Sequence, residues 1–88
     1  MEYQVKVEVS LKPGHSDPEG ETTAKSLQDL RYPVETVKVG KVYTFTLSAD
    51  SLEKAKKQVD EICQRLLANP VKDNYDSVVE EKSDRVSL

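Results

Sequence analysis

Cys63 and His15 are the chain's one thiol and one imidazole, so any nucleophilic or metal chemistry would begin with them. A catalytic thiolate needs an electropositive, partly exposed setting and a base within reach. Cys63 falls on the apolar stripe of a helical pattern, where a cysteine behaves as a small inert hydrophobe. His15 stands in a polar loop far along the chain from Cys63, and one histidine with one distant cysteine makes neither a zinc site nor a Cys-His pair. Asp17, Glu19 and Glu21 could hold a divalent cation, but a calcium loop needs more oxygen ligands at fixed spacing. Capping a helix and complementing its positive end accounts for all three. Gly40-Lys41 is no phosphate loop, because the glycine run is too short and a strand follows it. No catalytic residue, cofactor site or metal site is expected in this chain.

The elements that must position these residues follow from periodicity. Tyr3, Val5, Val7, Val9 and Leu11 alternate with polar residues and predict a half-buried strand over 3–11. Lys12-Pro13-Gly14 turns the chain. Ser16-Asp17-Pro18-Glu19 opens a helix, with Ala24, Leu27 and Leu30 on one face, that runs to about Arg31 before Tyr32-Pro33 stops it. A short strand over 34–39, a tight turn at Gly40-Lys41 and a strand over 42–48 predict an antiparallel hairpin. In the second of these strands Tyr43, Phe45 and Leu47 share a face.

Asp50 and Glu53 form a capping-box pattern ahead of the strongest helix. Its stripe is Leu52, Ala55, Val59, Ile62, Cys63, Leu66 and Leu67, and the pairs Glu53–Lys57 and Glu61–Arg65 are spaced for ion pairing on the wet side. Asn69-Pro70 ends this helix, since proline cannot continue it. Residues 71–79 predict a weaker strand at a sheet edge, or one that pairs with another protomer, because its faces are polar.

The 88 residues imply one domain, placed at 1–80 with a polar tail at 81–88. With 36% hydrophobic residues and no Trp, the core is small, and subunit burial in an oligomer is expected to add stability. The net charge of −3 and the pI near 5.1 argue against nucleic acid as a partner. RNA-stacking aromatics would have to lie on the open sheet face, whereas Tyr43 and Phe45 share the parity of Leu47 and face the helices. Met1–Gln4 lack a basic region followed by an apolar run, so no signal peptide is expected, nor a membrane span. A single cysteine fits a reducing cytoplasm.

The order strand-helix-strand-strand-helix-strand predicts an α+β, ferredoxin-like βαββαβ sandwich. Right-handed crossovers would put both helices on one face of a four-stranded antiparallel sheet. The other face would show Lys6, Glu8, Ser10, Lys38, Thr44 and Thr46.

Four stretches resemble the PurS family, the small subunit of phosphoribosylformylglycinamidine (FGAM) synthase: Val7–Pro13, Asp17–Gly20, Val37–Lys41 and Leu66–Val71. Departures from the family pattern are Glu19 where glutamine is common, His15 near a usually apolar position, a more polar Lys72-Asp73-Asn74 and a longer end after Tyr75. The resemblance implies a subunit without an active site. It implies assembly with a synthetase (PurL), which takes ATP, magnesium and formylglycinamide ribonucleotide (FGAR), and with a glutaminase (PurQ), which supplies ammonia for FGAM in purine biosynthesis. It also implies a homodimer or homotetramer that bridges the two partners. Partner contacts are expected at irregular segments that the core does not need: Lys12, Pro13 and Asp17, then Gly40 and Lys41, then Asn69 and Pro70, with Tyr75 beside them. A competing reading is a small ACT-like regulatory domain with the same element order, binding an amino acid at a dimer interface, with Pro13-Gly14 as its one candidate ligand loop.

Overall fold

The computed structural model describes residues 1–82. Strand β1 (Glu2–Leu11) leads to helix α1 (Pro18–Asp29), then strand β2 (Lys41–Ser48), helix α2 (Leu52–Ile62) with a π-helical extension (Cys63–Leu67), and strand β3 (Asp73–Glu81). The sheet has three strands in the order β2-β1-β3. Both pairings are antiparallel, with Val5 opposite Phe45 on one side and opposite Val79 on the other.

β1 is central because it alone alternates without interruption. Tyr3, Val5, Val7 and Val9 are all buried and the residues between them are exposed. Their face meets Val59, Cys63 and Ala68 from α2 and its extension, flanked by Tyr43, Phe45, Leu47, Leu67, Tyr75 and Val79. Tyr43 and Phe45 therefore face the helix, as their parity predicts. The buried core holds no polar or charged side chain.

Five expectations need correction. Residues 33–40 form neither strand nor turn, so the sheet has three strands and no hairpin closes at Gly40-Lys41. A two-residue hairpin turn calls for positive φ, and among the glycines only Gly14 has it. Lys41 instead pairs directly with Val9. The cap of α2 is Ser51, whose hydroxyl accepts the Lys54 N–H at 3.2 Å. Asp50 makes an ion pair with Lys54 at 3.3 Å, and the Glu53–Lys57 and Glu61–Arg65 pairs do not close. Leu66 is 80% exposed. The π turn, closed by Ala68 N–H on Cys63 O at 2.9 Å, inserts a residue into the helical phase, turning Leu66 outward and Ala68 inward. Finally, β3 spans Asp73–Glu81, ending opposite Tyr3, two residues later than the strand expected over 71–79; of the tail placed at 81–88, residues 83–88 lie outside the described residues.

α1 stands apart. Its contacts with the strands and α2 are few, and none of its residues belongs to the core cluster. It packs on the returning segment 33–40: Ala24 is buried, and Gln28 Nε2 donates to Val34 O at 2.9 Å. The Cα radius of gyration is 16.9 Å, against about 12 Å for a compact domain of this length. No described helix is long and apolar enough to cross a membrane.

Candidate interaction surface

The residues singled out from the sequence converge on one end of the sheet, where β1 finishes and β2 and β3 begin. Lys12 ties two of the three segments together. Its N–H donates to Lys72 O at 2.7 Å, and its ammonium donates to Pro70 O at 3.1 Å. The turn 69–73 holds itself closed. Asn69 Oδ1 accepts from Val71 N–H at 2.9 Å, an Asx turn, and Asn69 N–H donates to Asp73 Oδ2 at 2.8 Å. Asn69 therefore builds the turn with its side chain while Pro70 and Val71 stay exposed.

The third segment is fixed by Asp17, the N-cap of α1. Its Oδ1 accepts the Gly20 N–H at 2.9 Å and its Oδ2 accepts the Val39 N–H at 2.9 Å. These two backbone hydrogen bonds, Val39 foremost, hold the carboxyl below its usual range, with Lys38 assisting. Gly40 passes beside the end of β1 so closely that a methyl there would stand 2.7 Å from Val9 O.

A groove of about 500 Å³ opens between these segments, lined among others by Ser10, Ser16, Asp17, Gly40, Lys41 and Lys72. A second, of about 530 Å³, has Lys12, Pro70 and Tyr75 on its walls, and Asp73 lines both. Tyr75 is anchored from α2: its hydroxyl donates to Asp60, and Gln64 Nε2 donates to that hydroxyl at 3.3 Å. The bond to the Asp60 carboxylate raises the phenol's pKa. Pro13, Gly40 and Lys41 are exposed, and Lys12, Asp17 and Tyr75 are half-buried.

Little here could do bond chemistry. Cys63 is fully buried, and burial pushes its thiol up, with the Asp60 charge adding to it, the opposite of what a nucleophile needs. His15 is exposed. Among the described residues no group of three or more His, Cys, Asp or Glu could hold a metal ion. Sequence reasoning missed Lys72 and Asp73, which close the turn, and Gly20, where the Val37 carbonyl comes too close for any side chain. A glycine in the first turn of a weak helix was the available signal.

The family model described as "PurS: Phosphoribosylformylglycinamidine (FGAM) synthase" matches residues 4–81. The PurS subunit of Methanothermobacter thermautotrophicus is 42% identical over 81 residues, covering 92% of this chain and 96% of that one. That of Bacillus subtilis is 38% identical, covering 90% and 94%. Among solved structures, Thermus thermophilus PurS superposes with a TM-score of 0.83 at 36% identity, over 94% of this chain and 100% of that one. A chain of the structure described as PurLQS from Thermotoga maritima gives 0.82 at 29% identity, over 90% and 98%. With a match over nearly its whole described length and the same fold, the chain belongs to the PurS family of FGAM synthase subunits.

Proposed function

We propose that this chain is the small, noncatalytic subunit of a phosphoribosylformylglycinamidine synthase, which converts FGAR, ATP and glutamine to FGAM in de novo purine biosynthesis. The observation that carries the reading is the family match over residues 4–81. The likeness to a chain of the Thermotoga maritima PurLQS structure supports a place in an assembly with a synthetase (PurL) and a glutaminase (PurQ). The chain bridges these two and supports passage of ammonia between them. ATP and magnesium are held by the synthetase, and the setting is the cytoplasm.

The docking surface is the end of the sheet where Lys12, Pro13, Asp17, Gly40, Lys41, Asn69, Pro70 and Tyr75 gather, because a partly polar rim of irregular backbone suits a protein partner. Lys41→Glu reverses a charge that no described carboxylate pairs, so folding should survive. Copurification with the two larger subunits then drops below full stoichiometry; retention of all three at wild-type ratio would reject this surface. β3 is an edge strand of the single chain, and its free edge pairs with a second copy. Sedimentation of the intact chain tests this: an oligomer is expected, and a monomer would reject the pairing.

A further inference from the structure

Residues 12–40, from the end of β1 to the start of β2, leave the sheet as one excursion. α1 stays out of the hydrophobic cluster and packs on segment 33–40, with Val34, Val37 and Val39 only half-buried. Two ties hold the far side together: Gln28 to Val34 O and the helix end, where Tyr32 N–H returns to Leu27 O at 3.0 Å. On the near side, one carboxylate joins the helix start to the segment that returns. Asp17 spends one oxygen on Gly20 and the other on Val39. The backbones it joins are already in tight approach, since Gly20 leaves no room for a Cβ beneath Val37 O. Beyond them the chain is jointed at Gly14, with φ of 88°.

We propose that Asp17 is a latch: its two carboxylate oxygens fasten α1 and segment 33–40 into a single unit that opens without unfolding the three-stranded core. Helix capping needs only one oxygen, as Ser51 shows in α2 by capping with its hydroxyl alone. The second oxygen, on Val39, is what joins the helix to segment 33–40. The core has independent support, because β1 is paired along both edges and covered by Val59 and Cys63. Regions with few buried apolar contacts open subglobally at lower free energy than the core.

Asp17→Ser separates the two jobs, since serine can cap Gly20 but cannot also reach Val39. Hydrogen exchange of the full chain, compared with Asp17→Ser and Asp17→Ala at one concentration, reads the result amide by amide. In the serine variant Val39 and the α1 amides from Ala24 to Asp29 exchange faster together, by roughly tenfold, as loss of a charge-assisted bond implies. The β1 amides stay within about twofold of wild type. Wild-type protection of Val39 and α1 in the serine variant would reduce Asp17 to a plain cap. Equal acceleration in β1, or acceleration of Val39 without α1, would show that the excursion is no separate unit. Either outcome overturns the proposal, and Asp17→Ala must exchange at least as fast as Asp17→Ser for it to stand.

Discussion

Single residues here act through backbone geometry more than through side-chain chemistry. A Gly→Ala change inside a helix normally stabilises by about 1 kcal/mol. At Gly20 the added methyl would run into the Val37 carbonyl, so the sign reverses. Gly20→Ala is expected to destabilise by about 1–3 kcal/mol, measured by urea denaturation; a stabilised variant would refute the close approach. Arg31 ends α1 with φ of 71°, and the bonds Arg31 N–H to Gln28 O and Tyr32 N–H to Leu27 O complete a Schellman cap. Because a Cβ costs about 1–2 kcal/mol in that conformation, Arg31→Gly should raise the melting temperature, and a fall would contradict the cap. Acid titration reads Asp17. Its folded pKa is lowered, so its contribution to stability is complete above the ordinary carboxylate range and is lost as pH falls through that range toward the folded value. The melting temperature of Asp17→Ser should show a weaker acid dependence than wild type there, and parallel curves would contradict the assignment.

At the scale of elements, α2 lying on β1 is what holds the fold. Val59 is fully buried against Val5 and Val7. Val59→Ala should cost about 2 kcal/mol, while Lys57→Ala on the exposed side should stay within about 0.5 kcal/mol; equal effects in denaturation would place α2 wrongly. These two elements were the most legible in the sequence. Strict alternation over Tyr3–Val9 and the apolar stripe over Ala55–Cys63 each had one solution that buried them. The strand expected over 34–39 failed for a physical reason: its valines read as a strand, but Asp17 takes the Val39 N–H and Gln28 of α1 takes the Val34 carbonyl. Neither a long-range carboxylate-to-backbone bond nor a π turn leaves a periodic trace in the chain. The candidate surface was legible as three separate irregular segments. That Lys12 and Asp17 bind them into one surface depends on pairings 58 and 22 residues apart, which local pattern cannot reveal.

The whole molecule is long and thin, 50 × 36 × 14 Å, with one sheet face covered by α2 and the other showing Lys6, Glu8, Thr44 and Thr46 to solvent. Such a shape buries little of its own surface, which fits a subunit completed by neighbours better than a domain that works alone. The chain supplies no constellation for bond making, and its organised surface lies at one end, facing outward. The proposed contribution to an FGAM synthase is assembly, and reconstitution tests that most directly. Glutamine-dependent FGAM formation is measured with purified synthetase and glutaminase subunits, with and without this chain. The account predicts that activity appears only when the chain is present; the same rate in its absence would contradict it.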